Sequence, residues 1–259
     1  MTHSTFKEIV NSREERGRDS HPIMSRHMDK MIIAIDGPSG AGKSTVARVL
    51  ADRLGYMYVD TGAMYRAVAL KAKQAALKTG DEGRLRVLCE SIDIQFHRDR
   101  TGMRVVCNGE DVTEAIRRPE MSLLASDISK VPVVREAMVG LQRRLAQKGG
   151  AVFEGRDIGT VVFPHAPVKF FVDADPQARG RRRYEELKMR GEAVDLDETI
   201  RESERRDLSD RTRALAPLKM AGDAVRIDTT HLTIEQVVDR MVRIHRDRME
   251  QWKKSGRDK

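Results

Sequence analysis

Runs of apolar residues alternate along the chain with segments of helical periodicity. From Met31 the sequence Met-Ile-Ile-Ala-Ile forms an unbroken apolar run that ends at Asp36 and Gly37, which is typical of a strand buried on both faces. The next segment, Ser44–Leu54, places its apolar residues at helical spacing and stops before Gly55, a residue type that commonly ends helices. The predicted order is therefore strand, glycine-rich loop and helix.

The same alternation continues to the end of the chain. One long helix is predicted at Ala63–Leu77. Four further buried strands are predicted at Tyr56–Val59, Ala151–Glu154, Val168–Val172 and Ala224–Ile227. A closing helix is expected after Thr233, because Gln236 stands three residues later and completes a capping box. Five buried strands with helices between them predict an α/β fold with a doubly wound, five-stranded parallel sheet.

Three segments differ from this pattern. Between residues 90 and 118, apolar and polar residues alternate on both sides of a turn at 100–102, which predicts exposed antiparallel strands within a small inserted module, at about 90–135. Residues 175–213 are highly charged and helical, with a break at Gly191. Residues 1–30 lack any periodicity, so they are expected to form a mobile tail before a single domain at 31–259.

Composition narrows the classes of protein that fit. No apolar run approaches the ~18 residues of a membrane span, and the N-terminus has no secretory signal pattern, so a cytoplasmic protein is expected. Cys89 and Cys107 are too few for a disulfide framework and lack the spacing of a zinc site. The net charge of +8 suggests a polyanionic partner, and aromatic residues at only 4% favour small phosphates over stacked nucleic-acid bases.

The strongest chemical signal is a phosphate-binding loop between the first strand and the first helix. The sequence Gly-Pro-Ser-Gly-Ala-Gly-Lys-Ser matches GxxxxGK[ST] in the required context. Backbone N–H groups and the helix N-terminus attract phosphate, the lysine reaches the β- and γ-phosphates of ATP, and the Ser44 hydroxyl suits Mg²⁺. The predicted ATP-binding residues are Gly37, Pro38, Ser39, Gly40, Ala41, Gly42, Lys43, Ser44 and Thr45.

Such a loop does not by itself identify the reaction, but the rest of the sequence excludes some classes. A GTPase needs an NKxD motif, and the only asparagines, Asn11 and Asn108, are followed by Ser and Gly. An ATP-driven motor usually has a hydrophobic run ending in two adjacent acids, and no such pair is present, since Val59-Asp60 and Phe153-Glu154 offer a single acid each. The class of reaction must therefore come from the segments downstream.

Three separated motifs then carry a resemblance to a known family. They are Asp-Thr-Gly-Ala-Met-Tyr-Arg at 60–66, Glu-Gly-Arg-Asp-Ile-Gly-Thr-Val-Val at 154–162, and Asp-Arg-Thr-Arg with Ala-Pro-Leu at 210–218. With the phosphate loop, they resemble the bacterial cytidylate kinases, a family of nucleoside monophosphate kinases. The resemblance runs from about Met31 to the last helix. It implies ATP and Mg²⁺ as donor and cofactor, CMP and dCMP as acceptors, a monomer, and neither nucleic-acid nor membrane partners.

The resemblance also implies a role for each motif residue. Thr61, Arg66, Arg156 and Arg213 would contact the acceptor phosphate, Ser126, Arg135 and Asp157 would recognise the cytosine edge, and Asp210 would hold the ribose hydroxyls. The residues expected to act in phosphoryl transfer are Lys43, Arg156, Arg182 and Arg213. Arg182 belongs to a basic cluster that resembles the mobile lid of these kinases, at about 175–192. This cluster consists of Arg179, Arg181, Arg182, Arg183, Lys188 and Arg190.

The expected chemistry does not require a basic side chain. The acceptor oxygen of a nucleoside monophosphate is already anionic near neutral pH, so the protein needs only to position it and neutralise charge. One departure from the family pattern is Glu154, where an aspartate is usual. Its longer side chain is expected to shift Arg156 and to affect acceptor affinity.

Other interpretations stay open at the level of sequence. Arg66 could be a solvated helix residue, Arg135 could pair with a neighbouring acid, and Asp210 with Arg213 could form an i,i+3 surface pair. The acceptor could be another small molecule such as UMP. A protein of a different class, a basic nucleic-acid-binding protein that holds ATP only as a ligand, would also explain the charge.

Overall fold

The computed structural model describes residues 31–99 and 102–255, and the expectation for residues 1–30 lies outside this range. The strands are β1 (Ile32–Asp36), β2 (Met57–Asp60), β3 (Ile94–Asp99), β4 (Gly102–Cys107), β5 (Glu110–Asp111), β6 (Ala151–Gly155), β7 (Val168–Asp173) and β8 (Val225–Asp228). The helices are α1 (Lys43–Leu54), α2 (Thr61–Gln74), α3 (Glu82–Glu90), α4 (Pro119–Ile128), α5 (Pro132–Leu145), α6 (Pro176–Met189), α7 (Leu196–Thr212) and α8 (Ile234–Ser255).

The main sheet has five parallel strands in the order β2-β6-β1-β7-β8. This confirms the predicted parallel sheet, with β1 at its centre. The expectation that all five strands are buried is wrong for the two edges. In β8 the side chains of Arg226 and Asp228 are exposed while Ile227 is buried, and Met57 of β2 is also exposed. A strand at the edge of a sheet has a neighbouring strand on one side only, so more of its surface stays in contact with solvent.

Helices cover both faces of this sheet and form two apolar cores. Ile33 and Ile35 of β1 face a core that includes Leu50 of α1 and Val238 of α8. Ala34 points to the opposite core, which α2, α3 and α5 complete. Successive side chains of a strand alternate between faces, so a strand between two helical layers must be apolar at every position.

Local signals predicted the end of α1 and the start of α8, whereas α2 begins two residues before the predicted Ala63 and ends three residues before the predicted Leu77. Gly55 adopts φ 62° and closes α1, and Thr233 and Gln236 form the expected reciprocal capping bonds, at 3.2 Å and 2.9 Å. The central strands begin where predicted, at Ala151 and Val168, and each ends one residue later than expected. The two cysteines, Cys89 and Cys107, are free thiols buried in one of the apolar cores.

The two atypical segments form distinct structures beside the sheet. Strands β3, β4 and β5 make a small antiparallel sheet, as the alternating pattern indicated, and the residues of the expected turn at 100–101 lie outside the described range. Helices α6 and α7 pack closely at Gly180, where any larger residue would clash, since a Cβ there would lie 2.4 Å from Ile200 Cγ1. The chain breaks between them near Gly191, which has φ 79°. No helix within 31–99 or 102–255 has the length and apolar character that a membrane crossing requires.

Candidate active site

One cavity of about 980 Å³ lies at the carboxyl ends of the central strands. Parallel α/β sheets place their ligands at this edge, where loops leave the strands and helices begin. The phosphate loop lines one end of the cavity, and residues from α2, α4, α5, α7 and the loop after β6 line the other. The first part is called the donor half below, and the second the acceptor half.

The donor half is a tight loop whose glycines are required by its neighbours. A Cβ at Gly37 would lie 1.9 Å from the Val172 carbonyl oxygen, and one at Gly40, which has φ 72°, would lie 2.7 Å from the Arg179 carbonyl oxygen. Of the nine predicted donor residues, the seven from Ser39 to Thr45 line the cavity. Gly37 and Pro38 do not, because they lie buried beneath the loop.

Lys43 is buried at the start of α1, and its ammonium group donates to the Pro38 carbonyl oxygen at 2.6 Å. Burial lowers the pKa of Lys43 well below its usual value, and the nearby Arg156 guanidinium lowers it further. A phosphate group in the cavity would favour the charged form of this lysine. The side chain is therefore placed to bind anions.

Oxygen ligands suited to Mg²⁺ stand beside Lys43. Ser44 is exposed at the first turn of α1, and its hydroxyl lies near the buried carboxylate of Glu154, whose pKa is raised by burial and partly lowered again by Ser44. Glu154 accepts a hydrogen bond of 2.6 Å from the Tyr58 hydroxyl. Mg²⁺ prefers a hydroxyl or carboxylate with water and substrate phosphates completing its shell, so these residues fit the ion. The described residues contain no cluster of three or more His, Cys, Asp or Glu that could hold a metal ion.

The acceptor half contains every residue that the sequence motifs proposed for it. Side chains from five separated segments meet there, and they line the same cavity as the phosphate loop: Thr61, Arg66, Ser126, Arg135, Arg156, Asp157, Asp210 and Arg213. Thr61 donates its hydroxyl hydrogen to the Glu154 carbonyl oxygen at 2.7 Å, which joins the start of α2 to the end of β6. The chain therefore brings together residues up to 152 positions apart, from Thr61 to Arg213.

Pairs of opposite charge hold these arginines in place. Arg156 Nε donates to Asp210 Oδ2 at 2.8 Å, and Arg66 Nη2 donates to Asp60 Oδ2 at 2.9 Å. Arg66 is thus only partly exposed, which disfavours the solvated alternative. The Arg156 guanidinium lowers the pKa of Asp210 against the opposing effect of burial.

The cytosine-side candidates form a second buried group. Arg135 does pair with an acid, and that acid is Asp157, another candidate of the same set. Arg213 Nη1 and Asp210 Oδ1 are 3.9 Å apart, so the i,i+3 pair exists. Both side chains are buried, however, with 6% and 7% exposed, so the surface alternative is wrong.

The arginines retain hydrogen-bonding capacity that the protein does not use. Among the described residues, six buried side-chain atoms lack a hydrogen-bond partner. Four of them are N–H groups of arginines that line the cavity: Arg66 Nε, Arg135 Nε, Arg206 Nε and Arg213 Nη2. Because a buried donor without a partner is costly, this pattern indicates a ligand with several acceptor oxygens.

Arg206 is a cavity residue that the sequence analysis missed. It lies on α7 four residues before Asp210, so the two side chains share one helix face. Burial and the neighbouring Arg156 lower the pKa of Arg206 to about 10. Its helical spacing from Asp210 was the signal that could have identified it.

The predicted lid cluster divides between the cavity and other surroundings. Arg182, Arg183 and Arg190 line the cavity, whereas the other members of the cluster do not. Arg182 Nη2 donates to the Thr229 carbonyl oxygen at 2.6 Å. The Thr229 hydroxyl in turn donates to the Ala41 carbonyl oxygen at 3.0 Å, so Arg182 lies beside the donor half.

The buried carboxylate of Asp36 links the start of the phosphate loop to the segment that follows β6. Asp36, at the end of β1, accepts the backbone N–H groups of Ile158 and Gly159, each at 2.7 Å. These residues begin a short π-helix directly after Arg156 and Asp157. Burial raises the pKa of Asp36 to about 7, against the effect of the two hydrogen bonds.

Comparison with known proteins identifies the family of the chain. A family model described as cytidylate kinase matches residues 33–247. A cytidylate kinase of Syntrophotalea carbinolica is 55% identical over 85% of this chain and 94% of its own length. One from Geobacter sulfurreducens is 56% identical over 84% and 94% respectively. A solved shikimate kinase from Bacteroides thetaiotaomicron is only 14% identical, with a TM-score of 0.43 over 83% of this chain and 98% of that one. The chain belongs to the cytidylate kinase family.

Proposed function

We propose that this enzyme transfers the γ-phosphoryl group of ATP to CMP, giving ADP and CDP. The observation that carries the proposal is the continuous cavity, which joins a phosphate loop to a pocket of arginines with unused N–H groups. A nucleoside triphosphate fits the first part, and a second phosphate-bearing molecule fits the other. The two reacting phosphates would then meet between Lys43 and Arg156.

Each component of the acceptor has a matching group. Arg66, Arg156 and Arg213, joined by Arg206, offer guanidinium donors to the phosphate, which suits their planar, bidentate geometry. The Asp157 carboxylate can accept from the exocyclic amino group of cytosine, which uracil lacks. Arg135 and Ser126 would complete the base pocket, and Asp210 would accept from ribose hydroxyls.

Phosphoryl transfer needs positioning and charge neutralisation more than proton transfer. The acceptor oxygen carries negative charge at neutral pH, so no side chain has to act as a base. Lys43 would bind the β- and γ-phosphates, and Arg182 would approach from the lid on the donor side. Enclosure of the cavity by α6 would exclude water, which protects the phosphoryl group from hydrolysis.

Mg²⁺ would be held by the Ser44 hydroxyl, with the Glu154 carboxylate beside it. When bound, the ion neutralises phosphate charge and orients the donor. The side chain of Glu154 accepts a hydrogen bond from Tyr58, and Glu154 stands two residues before Arg156 in the chain. The longer side chain of Glu154 would therefore affect the Mg²⁺ site and the position of Arg156. We further propose that dCMP is accepted, and that the protein is a cytoplasmic monomer that binds neither nucleic acid nor membranes.

The direct test is to identify the products. The full chain is incubated with ATP, Mg²⁺ and CMP, and the nucleotides are separated by anion-exchange chromatography. We expect CDP and ADP to form in equal amounts. ADP without CDP would identify an ATPase, and neither product would refute the proposal.

A further inference from the structure

A buried ion pair between helices α6 and α7 holds the donor loop at Ser39. Arg179 of α6 and Asp207 of α7 pair directly, and both residues are buried, at 4% and 6% exposed. Asp207 Oδ1 accepts the backbone N–H of Ser39 at 3.2 Å, and Arg179 Nη1 donates to the Ser39 carbonyl oxygen at 3.1 Å. The two side chains therefore bind both backbone polar groups of one donor-loop residue.

This contact is rigid on the helix side as well. Arg179 Nε donates to the Ala174 carbonyl oxygen at 3.0 Å, so the guanidinium group is fixed at both ends. The backbone of Arg179 also lies against Gly40, where a Cβ would come within 2.7 Å of its carbonyl oxygen. The Ser39–Gly40 segment cannot shift without moving α6.

Neither charged side chain touches the cavity, whereas Ser39 and Gly40 line it. The pair can therefore contact a ligand in the donor half only through the loop backbone. Backbone groups bind phosphate well only when they are already arranged, because ordering them on binding costs free energy. A buried Arg–Asp pair with every contact satisfied provides such an arrangement.

We propose that Arg179 and Asp207 are positioning residues, which fix the donor loop in the conformation that binds ATP. The choice of ATP as ligand rests on the proposed function. The hydrogen bonds of the pair reach Ser39 and none of the acceptor candidates, and Asp207 acts on Arg156 only through its charge, as one of several acids that raise the pKa of Arg156. Its loss should therefore weaken ATP binding and leave CMP binding unchanged.

The test is isothermal titration calorimetry of the full chain with ATP and Mg²⁺, and separately with CMP. Arg179→Met should raise the Kd for ATP roughly 10- to 100-fold and change the Kd for CMP less than about threefold. Arg201→Met, which removes the same charge from the exposed side of α7, is the matched control and should leave both values unchanged. Arg179→Lys keeps the charge and should recover part of the ATP affinity.

A second variant addresses stability, because Arg179→Met leaves the buried Asp207 carboxylate without its partner. Arg179→Gln/Asp207→Asn removes both charges, and it should fold and still bind ATP weakly, since glutamine is too short to reach the Ser39 carbonyl. Folded variants with unchanged ATP affinity would overturn the inference, and so would an equal loss of ATP and CMP affinity. A wild-type chain that binds ATP but forms no CDP would refute the proposed function and leave this inference standing.

Discussion

The donor and acceptor halves of the cavity are built in opposite ways. The donor half comes from one continuous segment, residues 37–45, and depends on backbone geometry that glycines permit. The acceptor half gathers single side chains from five segments, and depends on arginines and acids that pair with one another. A continuous motif needs only local folding, whereas the acceptor half exists only once the whole sheet has formed.

This difference explains how each half maintains its shape. Donor-loop carbonyls are tied down by Lys43, Arg179 and Thr229. In the acceptor half, pairs such as Arg156 with Asp210 hold the side chains and leave other N–H groups free for a ligand. Charges buried without partners would be far more costly, so the acids of this half stabilise the arginines as well as facing the ligand.

The largest effect is expected in the donor half. Lys43→Ala removes the only lysine that lines the cavity among the described residues, so kcat should fall by about 10³-fold while the Kd for CMP stays nearly constant. Steady-state kinetics and CMP titration measure the two quantities. A variant with near-normal kcat would contradict the phosphate role of Lys43.

A smaller and more selective effect is expected in the acceptor half. Asp157→Ala should reduce the ratio of kcat/KM for CMP to that for UMP by roughly 10- to 100-fold, because it removes a charged hydrogen-bond acceptor. The variant also frees Arg135, so its thermal stability must be checked alongside. An unchanged ratio in a folded variant would show that Asp157 does not recognise the base.

The link between the halves predicts a dependence of stability on pH. Asp36 has a pKa of about 7 in the folded chain and an ordinary value of 3.8. Between these values the folded state keeps a proton that the unfolded state releases, so stability falls as pH rises, by on the order of 4 kcal/mol across the window. This contribution is complete below pH 3.8 and is lost as pH approaches 7.

Urea unfolding of the wild type and of Asp36→Asn at pH 5, 6, 7 and 8 measures this effect, since groups that do not interact with Asp36 titrate equally in both. The free energy of unfolding of the wild type, relative to the variant, should decrease up to about pH 7 and then level off. A difference that is independent of pH would exclude Asp36 as the titrating group.

The smallest effect is expected outside both halves. A chain that starts at Met31 should keep kcat and both KM values within about twofold, because no candidate residue lies before Gly37. Kinetic comparison with the full chain measures this. Lost activity would show that residues 1–30 take part in function.

The same contrast accounts for what sequence alone could predict. The sheet, the donor loop and the helix caps follow from local patterns, and the parallel five-stranded sheet is confirmed. The acceptor residues came from separated motifs and a family resemblance, because their meeting depends on long-range packing. The contact of Arg179 with Ser39, which joins residues 140 positions apart, was missed for that reason. Arg206 had a local signal, its four-residue spacing from Asp210 on α7, which the sequence analysis did not use.

The ion pairs within the acceptor half could not be predicted from the sequence either. Arg135 was weighed as a residue paired with a neighbouring acid or as a base-recognising residue, and it pairs with Asp157 inside the cavity. These alternatives are compatible, because a buried arginine needs a partner before a ligand arrives. The edge strand β8 shows the reverse case, in which apolar composition suggested more burial than its position in the sheet allows.

The central claim is that one cavity combines a general ATP site with an acceptor site selective for cytosine. The most direct measurement is ADP release in a coupled assay with ATP and Mg²⁺, using CMP, dCMP, UMP, AMP or no acceptor. We predict turnover with CMP well above that with UMP or AMP, and almost none without an acceptor. Equal ADP release under all conditions would contradict the claim and leave only the phosphate-loop assignment.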